Sequence, residues 1–227
     1  MFHGKKKAIT FSYDDGVLQD RRLIEILNKY GLKATFNINS EHLGTKNTLN
    51  LEGKVIQHDK ISPEEVASLY AGHEVAVHTL THPQLTQLDE KEIIRQVEED
   101  RKNLSALAGY EVIGMAYPCA GFQNSDRVEN IIKNHTGVKY ARTISLSYSF
   151  KEQTDVLRYK PTSFHLDFRI NRQLADEFFA ADEGVFYIWG HSYEFDINDT
   201  WREFEEFCKY ISGRDDIFYG TNKEIII

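Results

Sequence analysis

The sequence predicts an α/β fold built on a parallel sheet. Apolar runs of strand length alternate along the chain with segments of helical periodicity, and the links between them are short. About seven such units follow one another, and units that closed on themselves would form a barrel. With 227 residues, of which 41% are hydrophobic, the chain can bury one substantial core. We therefore expect a single domain over residues 1–227.

The first third of the chain begins with a strand, a helix and a second strand. KAITFSY precedes a helical segment whose apolar residues recur at helical spacing, namely Leu23, Ile26, Leu27 and Tyr30. Gly31 marks the end of this helix, and KATFNIN forms the next strand. The polar stretch 40–60 is predicted as an inserted surface loop. Ser62, Pro63 and Glu65 then supply an N-cap, a proline in the first turn and a capping-box glutamate for a helix over VASLYAG.

The rest of the chain continues the alternation. HEVAVHT is predicted as a strand, and DEKEIIRQVEEDRKNLSALAG as one helix, since Ile93, Val97, Leu104 and Leu107 share a stripe. There follow the strand VIGMAY, the Ser125-capped helix SDRVENIIKNHTG, the strand VKYARTI, the helix NRQLADEFFA, the strand VFYIWG and the helix TWREFEEFCKYISG, with DIFYG and EIII at the end. Cys208 lies on the apolar stripe of the TWREFEEFCKYISG helix, so we expect it in the core.

Composition excludes several classes of protein. The formal charge of −8 argues against binding of nucleic-acid phosphates as the main task. No stretch approaches the roughly 18 uninterrupted apolar residues of a membrane helix. The apolar run after the first lysines is too short for a signal peptide, so we expect a cytoplasmic protein unless a leader precedes this sequence. Two distant cysteines, Cys119 and Cys208, do not form a disulfide framework.

Polar side chains collect where the predicted strands end. Asp14 and Asp15 end the first strand, His78 ends HEVAV, Cys119 follows VIGMAY with Pro118, and His191 follows VFYIWG. In a parallel βα barrel the reactive residues lie on the loops after the strands, all on one face. These residues are therefore expected on one rim.

Two histidines, His78 and His82, have the i, i+4 spacing that places both imidazoles on one side of a helical turn. No glutamate follows the first histidine, so the zinc-protease motif HExxH is absent. Alone, such a pair is more typical of surface or core histidines. With an aspartate on the same rim, two histidines and one carboxylate form a triad suited to catalytic zinc.

A metal would also explain why Asp14 and Asp15 are adjacent although like charges oppose each other's ionisation. One aspartate would coordinate the cation, and the other would accept a proton from water. The alternative for Asp-Asp-Gly is a turn with a capping aspartate, and both interpretations can hold together. His191 is a candidate general acid, or else a buried, hydrogen-bonded histidine.

Aromatic residues surround His191, and Cys119 carries a thiol. Trp189, Tyr193 and Phe195 could form a surface on which sugars stack, although aromatic residues beside a strand are more often core. Cys119 is not favoured as a nucleophile, because nothing nearby in sequence marks an activating base.

Three stretches resemble the polysaccharide deacetylases with the NodB homology domain, carbohydrate esterase family 4. TFSYDDG at 10–16 is similar to the family's first motif, TFDDG. GHEVAVHTLTHPQLTQL at 72–88 resembles its H(S/T)xxH motif with flanks, and WGHS at 189–192 is similar to its final histidine motif. Their order and separation span nearly the whole chain.

The resemblance implies a distorted (β/α)7-type barrel, hydrolysis of an N- or O-linked acetyl group, and an acetylated carbohydrate as the partner. It implies Asp14 as general base and His191 as general acid. It implies a zinc site, with cobalt or nickel as alternatives, whose ligands are Asp15, His78 and His82.

The oxyanion would be held by the metal and by the backbone N–H of Cys119, in the stretch Ala116–Gly121 that corresponds to the family's RPPYG. Tyr117 in that stretch is a further candidate for substrate binding.

The sequence departs from the family at two places. The third-motif arginine is missing, since Met115 and Ala116 occupy its neighbourhood, and the Trp-containing fourth motif is not evident. Arg142, at the end of VKYARTI, could reach the same place from another strand and contribute there to oxyanion or substrate binding, or could be a surface arginine.

Two alternatives to a deacetylase stay open. One is a metal-dependent hydrolase of small C–N amides or cyclic imides, and the other is a non-catalytic carbohydrate-binding module.

Overall fold

The structure is a computed structural model that describes residues 1–51, 53–119 and 125–227. The strands in chain order are β1 (Lys7–Asp14), β2 (Ala34–Ile38), β3 (Thr48–Leu51), β4 (Lys54–Gln57), β5 (Glu74–Val77), β6 (Gly114–Ala116), β7 (Tyr140–Arg142), β8 (Ser163–Phe164), β9 (Gly184–Gly190) and β10 (Ile217–Tyr219). The helices are α1 (Asp20–Lys29), α2 (Val66–Leu69), α3 (Glu90–Ile94), α4 (Asp100–Ala108), α5 (Asp126–His135), α6 (Phe168–Ala180), α7 (Glu194–Asn198), α8 (Trp201–Ile211) and α9 (Asn222–Ile226). The predicted alternation of strands and helices is therefore confirmed.

The main sheet is parallel and has the order β7-β6-β5-β2-β1-β9-β8, with β10 paired to the first half of β1. Tyr159, on the segment before β8, joins the two ends of this order. Its N–H donates to Ala141 O on β7 at 2.9 Å, and Thr162, three residues on, donates to Tyr187 O on β9 at 2.7 Å. The sheet thus curls into the expected distorted (β/α)7-type barrel. Every residue of β1 is buried, as expected for a strand covered on both faces.

Helices cover the outside of the sheet with their apolar faces. Leu23 and Leu27 of α1 and Cys208 of α8 belong to the main hydrophobic core, as expected. The helix predicted over DEKEIIRQVEEDRKNLSALAG is continuous from α3 to α4, with a π-helical turn at Arg95–Glu99 between them. Among the described residues no helix is both long and apolar enough to cross a membrane.

The stretch 40–60 has more regular structure than the sequence indicated. It contains a short 3-10 turn at Ser40–His42 and the antiparallel hairpin of β3 and β4, in which Leu49 pairs with Ile56. The prediction of a surface loop was therefore incomplete, because each strand has only four residues, most of them exposed, which is too short a run to stand out as a strand in the sequence.

A polar network lies at the end of the barrel opposite the strand carboxyl ends. Glu74, the first residue of β5, accepts hydrogen bonds from Thr35 Oγ1 (2.8 Å), Tyr140 OH (2.8 Å) and the backbone N–H of Lys223 (2.9 Å). Lys223 belongs to α9, so this one buried carboxyl fastens the last helix to three strands. Burial raises the pKa of Glu74, although its hydrogen bonds oppose the rise.

We expect Glu74→Ala to lower the free energy of unfolding by about 3 kcal/mol or more, because it leaves three buried donors without an acceptor. Chemical denaturation measures this. Glu183→Ala, at an exposed position, is the matched control and should change the stability by less than about 0.5 kcal/mol. Equal effects of the two substitutions would show that the network does not hold the barrel end together.

Candidate active site

The adjacent carboxylates of Asp14 and Asp15 face different partners because the chain turns between them. Asp14 is the last residue of β1, while Asp15 has φ 84 and Gly16 has φ 60, both in the left-handed region. A Cβ on Gly16 would lie 3.0 Å from a methyl group of Ile38, so the turn needs a glycine there. The Asp15 N–H donates to Asn37 O on β2, which fixes the turn at the barrel rim.

Asp14 is held by Arg142 and Asn37. One terminal nitrogen of the Arg142 guanidinium donates to both Asp14 oxygens, at 2.6 and 2.5 Å, and Asn37 Nδ2 donates at 2.8 Å. Arg142 ends β7, is fully buried, and packs on the ring of Trp189. Burial, the largest single influence, opposes ionisation of Asp14, but Arg142 together with His78 and His191 outweighs it, and the pKa of the carboxyl is lowered. In the structure, therefore, Arg142 contacts the carboxylate proposed as the base.

The histidine pair is not on a helical turn, as its spacing had suggested. Residues 78–82 follow β5 as an irregular segment in which Thr79 and His82 have positive φ (69° and 57°). Asn39 stabilises this path, since its side-chain amide donates to the carbonyls of His78 (2.6 Å) and Thr79 (2.8 Å). The prediction of a helical turn was wrong. Two side chains four residues apart also come together where the chain bends sharply after a strand, as it does here. The ring centroids lie 4.8 Å apart.

Asp15, His78 and His82 form a cluster that fits a metal ion. One ligand atom from each lies within 4.8 Å of the others. His78 Nε2 is 3.9 Å and His82 Nε2 is 4.0 Å from Asp15 Oδ1. Tetrahedral ligands at about 2.1 Å from zinc are separated by roughly 3.4 Å, so a small contraction would complete such a site. Two imidazoles and one carboxylate leave a coordination position open, as catalytic zinc requires.

Both imidazoles are anchored through their other nitrogen. His78 Nδ1 lies 2.9 Å from Ala116 O, which leaves Nε2 for a metal, and His82 Nδ1 lies 3.6 Å from Cys119 Sγ. Burial lowers the pKa of His78 to about 4, so the ring is neutral at pH 7, which is the form that coordinates metals. Asp100, which follows the π-helical turn, accepts the N–H of His78 at 3.1 Å. The irregular helix thus supports the histidine segment.

His191 shares one glutamate with a second histidine. Glu194 Oε2 lies 3.1 Å from His191 Nδ1 and 2.8 Å from the Nε2 of buried His165. Burial alone would lower the pKa of His191, but the hydrogen bond and charge of Glu194 raise it to about 9. His191 Nε2 points towards Asp14, 3.9 Å from Oδ2. His191 is therefore a cation at neutral pH with a proton directed into the pocket.

A small pocket of about 140 Å³ unites these groups. It is lined by Asp14, His78, His82, Tyr117, Cys119, Ile144, Trp189 and His191. The apolar atoms come mainly from Ile144, Trp189 and Tyr117, whereas Phe195 is a core residue. Cys119 has φ 62, and the neighbouring Ala120 and Gly121 of the expected oxyanion stretch lie outside the described residues.

Three residues around the site were not identified from the sequence. Glu194 lies three residues after His191 and at the start of α7, a spacing that could have suggested a partner for it. Lys60 Nζ donates to Asp15 O at 2.9 Å, and His58 Nε2 lies 3.6 Å from Asp15 Oδ2. Burial opposes ionisation of Asp15, but His58 and Lys60 help to hold its pKa well below the usual range. No sequence motif marks His58 or Lys60, because their place depends on the path of stretch 40–60.

We expect Arg142→Met to lower the free energy of unfolding of the metal-free protein by about 3–5 kcal/mol at pH 7, because it leaves a buried carboxylate without its cation. The lowered pKa of Asp14 contributes stability above the ordinary carboxyl pKa of about 3.9, and that contribution is lost in acid. In the variant, burial without Arg142 raises the pKa of Asp14, so the carboxyl becomes neutral as the pH falls from 7 towards 4, and the effect of the substitution should shrink over that range in urea unfolding. The exposed Arg202→Met serves as control, and a loss independent of pH would contradict the pairing.

Comparison with known proteins supports the fold and names the family. A family model described as polysaccharide deacetylase matches residues 3–141. A deacetylase from Streptococcus pyogenes, solved in complex with acetate, is 19% identical with a TM-score of 0.53, and the alignment covers 66% of this chain and 61% of that one. The chain thus spans about three fifths of the length of that protein.

Two further solved structures align along nearly the whole chain. One, assigned as a polysaccharide deacetylase from Mycobacterium smegmatis, is 16% identical with a TM-score of 0.69 and covers 98% of this chain and 90% of that one. The other, a CE4 family pseudoenzyme from Bacillus anthracis, is 17% identical with a TM-score of 0.55 and covers 99% and 66%. At these identities the structures show the common fold. Because the family model matches more than half of the sequence, the chain belongs to the polysaccharide deacetylase family.

Proposed function

We propose that the protein is a metal-dependent hydrolase that removes N- or O-linked acetyl groups from a sugar or polysaccharide. The observation that carries the proposal is the convergence of a buried carboxylate, a cationic imidazole and a cluster suited to a metal around one small pocket. The acetate in the related Streptococcus pyogenes structure is the product that such a reaction would release.

The pocket suits an acetyl group in size and lining. Ile144 and Trp189 offer apolar surface for the methyl group, and Asp14 Oδ2 and His191 Nε2 lie side by side in the pocket wall, 3.9 Å apart. An acetyl group bound in front of them would have a proton acceptor and a proton donor next to its carbonyl.

Asp15, His78 and His82 would hold the divalent ion, with zinc expected and cobalt or nickel as substitutes. When bound, such an ion polarises a carbonyl and makes water a better nucleophile. Asp14, kept ionised by Arg142, would accept the proton of the attacking water. His191 would donate its proton to the departing nitrogen or oxygen of the sugar. The backbone N–H of Cys119 is the candidate for a hydrogen bond to the oxyanion.

The direct test is release of acetate by zinc- and cobalt-loaded protein from a panel of acetylated oligosaccharides and small sugars. We expect Asp14→Asn to lower kcat by at least about 100-fold, because the amide cannot accept the proton. Asp182→Asn, an exposed aspartate, is the matched control and should retain full activity.

The outcomes separate the alternatives. Acetate release that depends on Asp14 supports the deacetylase. Ring opening or C–N cleavage of small amides without acetate release would indicate the amide hydrolase instead. Metal binding and sugar binding without turnover would indicate a non-catalytic carbohydrate-binding protein. One solved structure that shares the fold is described as a pseudoenzyme.

The pH dependence of kcat/KM tests the role of His191. With a pKa of about 9, protonated His191 should sustain activity through neutral pH, and the activity should fall as the pH rises through that value. Glu194 favours the charged ring, so Glu194→Gln should move this fall down towards the ordinary imidazole range near pH 6.5.

The control for that profile is Glu152→Gln, at an exposed position, which should leave the alkaline fall in place. An unchanged profile in Glu194→Gln would mean that another group donates the proton.

A further inference from the structure

A second cavity, the hairpin compartment, lies on the other side of Asp15 from the acetyl pocket. It has a volume of about 320 Å³, more than twice that of the first pocket. It is lined by Asp15, Asn39, His42, Thr45, Asn47, Leu49, His58, Lys60, His82 and Tyr193. Most of these residues come from stretch 40–60, so the compartment is formed mainly by the segment, with the β3–β4 hairpin, that interrupts the alternation of strands and helices.

Two buried side chains of the compartment have few partners. The side chain of His58 is nine-tenths buried, and its neighbour Asp15 Oδ2 lies 3.6 Å from Nε2, beyond hydrogen-bond distance, so neither ring nitrogen has a hydrogen-bond partner among the described residues. Lys60 is 8% exposed, and its ammonium, which carries three N–H groups, donates to the backbone carbonyl of Asp15. Buried donors that remain unpaired are costly, so these groups indicate a ligand with acceptor atoms.

The charges that line the compartment are unlike those of the whole chain. The chain has a formal charge of −8 with histidines counted as neutral, whereas the lining, counted in the same way, has one ammonium, that of Lys60, and one carboxylate, that of Asp15. Asp15 is itself a ligand in the proposed metal site, whose cation would offset its charge. The neighbouring Asp59 does not line the cavity, and its carboxylate accepts from Asn47 N–H (2.9 Å) and Gln57 Nε2 (2.7 Å). The compartment therefore favours an anion.

The compartment adjoins the proton donor through a row of rings. His191 and Tyr193 have ring centroids 5.1 Å apart, and Tyr193 and His58 have centroids 4.8 Å apart. His191 is the candidate donor to the departing group, and Tyr193 connects it to the compartment, so a sugar held at His191 could extend past Tyr193 into the compartment. That ring can also cover an apolar sugar face.

We propose that the hairpin compartment binds an oxyanion, carboxylate or phosphate, carried by the sugar from which the acetyl group is removed. This inference rests on the proposed function and narrows it to acetylated sugars with an acidic substituent. Lys60 supplies the charge, His58 and Asn47 supply further donors, and Tyr193 supplies the side wall.

The test compares kcat/KM for three probes with the zinc-loaded full chain. The probes are N-acetylglucosamine, its 6-phosphate, and its 3-O-lactyl ether, which carries a carboxylate. We expect at least one acidic probe to be preferred over the neutral sugar by about tenfold or more, since a hydrogen bond to a charged group contributes that much. Which acidic probe is preferred identifies the substituent.

Lys60→Met should bring the ratio of acidic to neutral kcat/KM close to one. The ratio is measured within one preparation, so partial unfolding or partial loss of metal cancels. Lys151→Met removes an exposed lysine elsewhere and should keep the wild-type ratio. His42→Gln at the cavity wall is a second variant and should reduce the ratio without removing the ammonium.

Each outcome bears on one of the two proposals. Turnover of all three probes at equal rates would overturn the oxyanion site and leave the deacetylase intact, as would a preference that survives both Lys60→Met and His42→Gln. If no probe is turned over, the deacetylase proposal fails for these sugars, and calorimetry of the 6-phosphate and lactyl ether against the neutral sugar still decides the compartment. Equal binding of all three probes would overturn it.

Discussion

The carboxylate of Asp14 is buried at the end of β1, and the guanidinium of Arg142 is what allows it to be ionised there. Asp14 is only 2% exposed, so bulk water solvates a charge there poorly, and the two side chains depend on each other. The pair joins β1 to β7, strands on opposite sides of the barrel order. An ionised carboxylate at the rim therefore requires a correctly curled sheet, and the shape of the barrel and the charge of the pocket depend on each other.

Support for the remaining groups comes from the layer behind the rim. Asn39 holds the backbone of the histidine segment, Asp100 accepts its first N–H, and Glu194 orients His191. Each support lies on a different element, and each uses a buried hydrogen bond to a polar group that would otherwise be unpaired. Two imidazoles in one pocket therefore differ in protonation state. Burial lowers the pKa of His78 and keeps its ring neutral, whereas the Glu194 carboxylate raises the pKa of His191 and keeps its ring charged.

Much of this arrangement could be predicted from the chain itself. Because side chains that end parallel strands share a rim, the positions of Asp14, His78 and His191 in the sequence were enough to bring them together. The path of residues 78–82 was not predictable, since spacing alone fits both a helical turn and a kinked loop. Arg142 was recognisable as a strand-end residue, but its direction depends on the curl of the sheet. The hairpin compartment depends on the packing of two four-residue strands, which are too short to be recognised from their sequence pattern.

The contact between Asp14 and Arg142 joins residues separated by 128 positions in the chain, and this separation affects how the protein folds. Contacts between distant segments form late, because the entropy of closing the intervening chain is lost before the contact is gained. A chain arrested after β1, β2 and β5 would contain Asp15, His78 and His82 but not the arginine. In such an order of folding, the residues of the proposed metal site would come together before Asp14 acquires the partner that keeps it ionised.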